Sequence, residues 1–320
     1  MTRFTPSRPW DSSSNDPNDE TFGDVVERID VPNTDDGFDR DVVLAGEPFD
    51  AAVIGRRGAA NGPTGIRNAL VGVKSHSFDG GPAVDPPEVG DLGDIDVSSI
   101  DTAAIQRQVE SVTTDLHDAD TLPVFLGGDS SLTVANARPL LDGGSLGVVN
   151  FDAHLDVREL RETPTSGTPY RQLFEAGLDA YACVGARHHE TSTSYADYVE
   201  ARDGTVVTAE AVGRDFDGAL RRAAAAVEDV DRLYVSVDCG VLDVTAAPGV
   251  SAPTPGGLTT RELFAAVRRL AADDRIAGFE VVECAPPLEE SDRTAEAAAR
   301  AVAHFLAGYE GGSDESATHR

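Results

Sequence analysis

Two carboxylates and an imidazole stand at alternate positions in Asp152-Ala153-His154-Leu155-Asp156, directly after the apolar run 146–151. Extended backbone sends alternate side chains to one face, so Asp152, His154 and Asp156 can enter one cleft without help from distant parts of the chain. A second apolar run, 233–237, ends at Asp238, with Asp243 and the turn 247–253 beyond it, and a carboxylate there can complete the same site. Aspartate is abundant here, and a solvated strand end would show the same spacing. A carboxylate at the mouth of an apolar strand, however, is costly to desolvate unless a cation or a donor compensates it, which favours a metal. Oxygen and imidazole ligands without cysteine suit manganese; residue type alone leaves zinc, iron and magnesium open.

Such residues need elements to hold them. Short apolar runs recur at 51–55, 122–127, 146–151, 180–185, 233–237 and 276–282, each with the length and β-branched content of a buried strand. Between them, 102–116, 217–227, 260–272 and 294–306 carry apolar residues at helical spacing. The alternation implies an α/β fold with a parallel sheet covered on both faces, because parallel neighbours need crossover helices. Nearly every apolar run ends in a cluster of Gly, Asp, His, Ser or Arg, and open parallel sheets bind ligands at the carboxyl ends of their strands. These clusters are therefore expected to converge. Residues 21–308 contain no repeat and no internal linker and read as one domain. Residues 1–20 and the acidic tail 309–320 show little periodicity and are expected to be loose ends.

The formal net charge is −30, from 56 Asp and Glu against 26 Lys and Arg, and Lys74 is the single lysine. Acidic residues are spread along the chain rather than blocked together, which fits a protein kept soluble at high salt, where counterions screen self-repulsion. Nucleic acid and anionic membranes are excluded as partners, because no cluster of positive charge is present to meet phosphate. No apolar run approaches the roughly 18 residues of a spanning helix, and no leader pattern opens the chain, so a cytoplasmic location is expected. Cys183, Cys239 and Cys284 form no CxxC pair and read as reduced thiols.

Gly127-Gly128-Asp129-Ser130-Ser131, the Asp152-to-Asp156 motif, Ser236-Val237-Asp238 with its following turn, and Val281-Val282-Glu283 resemble, in order, the motifs of the ureohydrolase (arginase and agmatinase) superfamily. Gly58-Ala59, Gly62-Pro63, Ile66-Arg67 and Asp91-Leu92-Gly93-Asp94 are similar to its amino-terminal signatures, so the resemblance covers roughly 45–308. It implies a three-layer αβα sandwich with a mainly parallel sheet, two manganese ions, and a homo-oligomer, usually a trimer or hexamer. By the same resemblance Asp152, Asp156 and Asp238 hold one ion, while Asp152, His154 and Asp238 hold the other. Two positions depart from the pattern. Ser130 stands where the family commonly has a histidine ligand, and Gly240 where it has an aspartate, so each ion loses one protein ligand. Water, Ser130 or Asp129 are candidates to fill the gaps, and a single ion or a weakly held second one becomes an expectation.

The small-molecule substrate is read from the segments beside those ligands. Arg158 follows Asp156 by two residues, at a position similar to one where arginases present a neutral side chain to their substrate. A planar guanidinium there matches a carboxylate, unless it merely pairs with Glu159 or Glu162 on the surface. Ser166, Gly167 and Thr168 resemble the branch of the superfamily that acts on N-formimidoyl-L-glutamate, and Arg187, His188 and His189 make the following loop more cationic than the arginase loop that receives a free α-amino group, as expected if the substrate's nitrogen is carried inside a formimidoyl group. The resemblance then implies hydrolysis to L-glutamate and formamide, with Glu283 holding the amidinium and Asp156 carrying a proton to the departing amine. The alternatives are agmatinase or another guanidino or amidino C–N hydrolase, which a cationic substrate tail facing Arg158 disfavours, and a non-catalytic homologue with weakened metal sites.

Overall fold

The computed structural model describes residues 3–11, 14–16, 18–31, 38–78, 88–97, 99 and 101–309. Ten strands form one sheet: β1 (Phe4–Thr5), β2 (Glu27–Arg28), β3 (Val42–Gly46), β4 (Val89–Ile95), β5 (Leu122–Leu126), β6 (Leu146–Phe151), β7 (Ala180–Ala186), β8 (Thr205–Thr208), β9 (Arg232–Asp238) and β10 (Ile276–Val282). Their order is β1-β4-β3-β5-β10-β9-β6-β7-β8, with β2 also on β4. Only β1 runs antiparallel to its neighbour.

Alternate residues of the central strands go to opposite faces and build two cores. Val124, Leu126, Val149, Phe151, Phe279 and Val281 pack with the helices Gly62–Leu70, Thr260–Ala271 and Arg293–Gly308. Phe125, Leu146, Val148 and Tyr234 pack on the other side with Thr102–His117 and Pro169–Ala176. The result is a three-layer αβα sandwich with a mainly parallel sheet. Because β5, β10, β9, β6 and β7 are consecutive neighbours, the segments that follow them emerge side by side along one edge.

Two expectations are corrected. Residues 51–55 form a turn rather than a strand; the strand is Val42–Gly46, whose five residues are all buried between β4 and β5. The turn at 51–55 instead uses its polar backbone, with Ala52 N donating to Asp129 Oδ2 at 3.0 Å. The amino-terminal segment is not loose where it is described. Phe4 and Thr5 pair with Ile95 and Asp94, while Ser7 Oγ and Trp10 Nε1 donate to the buried Asp91 Oδ2 at 2.6 and 2.8 Å. A buried carboxylate at a sheet edge needs donors, and this segment supplies two alongside Arg67, 2.9 Å from Oδ1. Residues 310–320 of the expected acidic tail lie outside the described residues.

Beneath the sheet's carboxyl edge lie two fully buried carboxyls with unequal hydrogen-bond shells. Glu280 accepts from Thr133 Oγ1, Asn136 Nδ2, Tyr234 Oη and Ser236 Oγ at 2.6–2.9 Å. Glu47 receives only Asn136 Nδ2 at 3.0 Å, and its Oε1 has no partner. Burial pushes its carboxyl up to about 8 from 4.5; Asn136 opposes the rise, and the charges of Glu280 and Asp129 add to it. The folded protein therefore keeps this proton where the unfolded chain has released it. The resulting stability is complete below about 4.5 and is lost as pH climbs through about 8. Relative to Glu47→Gln, the natural protein is expected to lose up to about 1 kcal/mol of unfolding free energy per pH unit across that window. Urea denaturation of both proteins at pH 5 and pH 8 checks this, and parallel pH profiles would refute it.

Candidate active site

Asp152, His154 and Asp156 follow β6 directly, and one ligand atom from each lies within 4.8 Å of the others. The convergence is not simple strand alternation, because Asp156 has φ +47°, a left-handed turn that few side-chain-bearing residues adopt. Asp152 Oδ1 accepts the backbone N–H of His154 at 2.9 Å and lies 3.4 Å from His154 Nδ1, while Oδ2 is buried without a partner. Asp238, at the end of β9, and Glu283, just beyond β10, line the same cavity of about 310 Å³ with Ser130, Arg158, Ser166 and Gly167. Glu283 also has a left-handed backbone, φ +60°. Its Oε1 accepts from Ser130 N at 3.2 Å, and its Oε2 is a second buried oxygen without a partner.

Crowding shows in the protonation of these groups. Burial raises Asp156 and Asp238 far above the ordinary carboxylate range, with Asp152 next in each case. Burial, and then Asp129, lifts Glu283 to about 8. For His154 burial favours the neutral ring, but Asp152, Asp156 and Glu190 outweigh it and carry the value up to about 9. Carboxyls this close repel one another when ionised, and a divalent cation removes that penalty. The donor set passes the test for such an ion: carboxylate oxygens and one imidazole, with Asp152 Oδ2 lacking any other partner.

The two positions that depart from the ligand pattern have other work. Ser130 Oγ donates to Ser166 O at 2.8 Å, with Asp156 Oδ2 3.4 Å away. Gly240 offers no side chain; its N–H donates to Asp238 Oδ1 at 2.5 Å and its carbonyl accepts from Arg187. Asp129 is not the substitute ligand, since its oxygens are taken by Ala52 N, Ser131 N and Ser131 Oγ.

The residues expected to meet substrate divide. Arg158 is exposed on the cavity wall and, among the described residues, pairs with neither Glu159 nor Glu162. It lies across Gly167, where a Cβ would sit 2.6 Å from Arg158 Cδ. Ser166 Oγ accepts Ile54 N at 3.1 Å. Thr168 is buried off the cavity and closes its own loop, bonding Thr165 N and O at 3.0 and 2.8 Å. His189 is exposed and away from the cavity.

Arg187 is not placed to meet a ligand. Its Nη2 donates to the carbonyls of Gly240, Val241 and Leu242 at 2.8, 2.9 and 2.6 Å, so the guanidinium pins the turn that follows Asp238. The carbonyls of Gly240 and Leu242 would be orphaned in Arg187→Met, while Val241 O keeps Leu258 N, an expected loss of about 2 kcal/mol of stability. Urea denaturation of the metal-free variant measures it; unchanged stability with a raised KM would return Arg187 to substrate binding.

Sequence reasoning missed Ile54 and Gly55, hidden in the segment read as a strand, and Glu190, Thr191, Ser192 and Tyr195, which complete the cavity wall after β7. Glu190 belonged to a segment already singled out, but nothing in residue order said which of its members turns inward.

A parallel α/β sandwich with carboxylates and an imidazole gathered beside its strand ends defines an α/β enzyme fold with a candidate metal centre. The chain belongs to the arginase family, whose model matches residues 40–308. It is 54% identical over 309 residues to a formimidoylglutamase from Halobacterium salinarum, covering 95% of this chain and 99% of that one. It is also similar to the solved formimidoylglutamase of Bacillus subtilis, with a TM-score of 0.86, 30% identity, and 93% and 94% of the two chains covered. A Trypanosoma cruzi formiminoglutamase solved with Mn2+2 has a TM-score of 0.80 at 25% identity, covering 91% of this chain and 98% of that one.

Proposed function

We propose that this chain hydrolyses N-formimidoyl-L-glutamate to L-glutamate and formamide, a step of histidine degradation, with manganese as its cofactor. The observation that carries the reading is Arg158, without an ion pair among the described residues, on the wall of a cavity that Glu283, with its buried Oε2, also lines. A fixed cation suits a substrate carboxylate, and an anion suits the amidinium. The names of the relatives in Halobacterium salinarum and Bacillus subtilis support the same assignment.

Asp152, His154, Asp156 and Asp238 would hold manganese, which would supply Lewis acidity at the site. Glu283 accepts the amidinium N–H groups and fixes the plane of the formimidoyl carbon for attack. As water adds to that carbon, Asp156 takes one of its protons and delivers it to the glutamate nitrogen while the bond from carbon to this nitrogen breaks, so the amine leaves neutral and the other nitrogen stays in formamide. Arg158 binds a carboxylate, and Ser130 and Ser166 hold the wall between these groups. With Ser130 and Gly240 in place of two ligands, one ion is bound tightly and a second weakly or not at all. The catalytic unit is the single domain 21–308, in a cytoplasmic homo-oligomer, a trimer or hexamer by family, and the acidic surface adapts it to high salt.

Formamide and glutamate release in molar salt, with and without Mn2+ and with agmatine and arginine as controls, tests the assignment. Turnover of N-formimidoyl-L-glutamate alone, dependent on Mn2+, is expected. Turnover of a guanidino control instead would overturn the substrate, and folded protein without any turnover would favour a non-catalytic homologue. Within that assay Arg158→Gln is expected to raise KM about 10- to 100-fold, the worth of a charge-assisted hydrogen bond. Arg158→Lys should recover only part of it, since an ammonium lacks the planar fork. An unchanged KM in Arg158→Gln would remove Arg158 from the substrate site.

A further inference from the structure

The segment after β7 contributes one charged residue to the active-site cavity, and none of the roles above uses it. Of its charged members, Arg187 faces inward to backbone carbonyls, His188 lies 3.2 Å from Glu210, and His189 is exposed with φ +71°. The chain then returns, and the acidic Glu190 lines the cavity, its Oε2 3.9 Å from His154 Nε2. The other ring nitrogen, Nδ1, lies 3.4 Å from Asp152 Oδ1. The imidazole thus has a carboxylate on each side, one in the candidate ligand cluster and one outside it.

An imidazole that gives one nitrogen to a metal keeps an N–H on the other, and that N–H needs an acceptor to fix both the tautomer and the plane of the ring. Asp152 cannot serve, because it sits on the Nδ1 side and belongs to the ligand cluster. The ring's backbone is already fixed, with His154 N bonded to Asp152 Oδ1 and His154 O accepting from Cys183 Sγ at 3.2 Å. What remains free is rotation of the ring itself.

We infer that Glu190 is a positioning residue for the metal centre: it accepts the Nε2–H of His154 and so turns Nδ1 toward the ion shared with Asp152. The inference rests on the metal reading of Asp152 and His154 and adds to it a residue outside the candidate ligand cluster. A flexible glutamate on an open loop closes the remaining distance by a rotamer change. The role also gives the segment 185–190 a use opposite to the cationic one its sequence suggests, since its only member in the cavity is acidic.

The test needs no substrate. Mn2+ affinity is measured by electron paramagnetic resonance of the free ion for the natural protein, Glu190→Ala and Glu190→Gln, together with thermal melting of the metal-free forms. Glu190→Ala is expected to weaken Mn2+ binding about 10- to 100-fold. Glu190→Gln, whose amide oxygen still accepts a hydrogen bond, should stay within a few-fold of the natural protein, and metal-free melting should not change. Affinity in Glu190→Ala within twofold of the natural protein would overturn the inference. Equal weakening in Glu190→Gln would overturn it too, reducing Glu190 to a distant charge. A natural protein that takes up no Mn2+ would overturn the metal reading itself and this role with it, a result visible before any variant is made.

Discussion

Asp152→Asn is expected to lower kcat/KM for N-formimidoyl-L-glutamate by at least about a thousandfold and to strip the protein of tightly bound manganese. Asp152 has the two features a central ligand needs. One oxygen is tied down by His154 N, and the other is buried with nothing to accept from. Asparagine preserves the size and the tied-down carbonyl but replaces the free anionic oxygen with an amide, a poor partner for a hard cation. Losing the several kcal/mol of charge stabilisation that the ion provides accounts for the magnitude. Folding should not suffer, because one negative charge disappears from beside Asp156 and the buried Asp238. Metal content after gel filtration and melting of the metal-free protein separate the two effects. A variant with full metal content and activity within tenfold of the natural enzyme would dismiss Asp152 as a ligand.

The second large effect is expected at Glu283. Glu283→Gln should cost about a hundred- to a thousandfold in kcat/KM, the range for removing one preorganised electrostatic partner from a transition state. Glutamine keeps an oxygen for Ser130 N, but it presents an N–H where the amidinium requires an acceptor. The manganese content should stay as it is, because Glu283 is assigned to the substrate amidinium and not to the ion held by Asp152, His154, Asp156 and Asp238. That contrast is the decisive measurement: metal lost together with activity would mean that Glu283 supports the ion rather than the substrate.

How far the sequence could be read depended on the range over which each feature is decided. Asp152, His154 and Asp156 sit within five residues, so local backbone brings them together and they could be recognised at once. Strands at 122–127, 146–151 and 276–282 were legible because apolar residues dominate each run, although Asn150 and Glu280 interrupt two of them. The run at 51–55 looked equivalent, but it lies beside Asp129, and a buried carboxylate demanding N–H groups decided its conformation. Arg187 and Glu190 illustrate the same limit. A cation beside a ligand motif resembles a substrate clamp until three carbonyls 240–242 are found around it. Which side chain of 187–190 points inward hangs on one left-handed residue, His189, whose identity does not announce that conformation.

The position of β10 bears on how the molecule comes to exist during synthesis. Among the described residues it is the last strand in sequence, yet it lies in the middle of the sheet, hydrogen-bonded on one side to β5 and on the other to β9. Until residues 276–282 leave the ribosome, the strands made earlier form two separate half-sheets with unpaired inner edges, β5 on one and β9 on the other. The loop that β10 must close against β5 spans nearly half the chain, and such non-local pairing is slow. A nascent chain stalled before this strand would hold no partial enzyme, because Ser130 and Asp238 belong to opposite halves until β10 joins them.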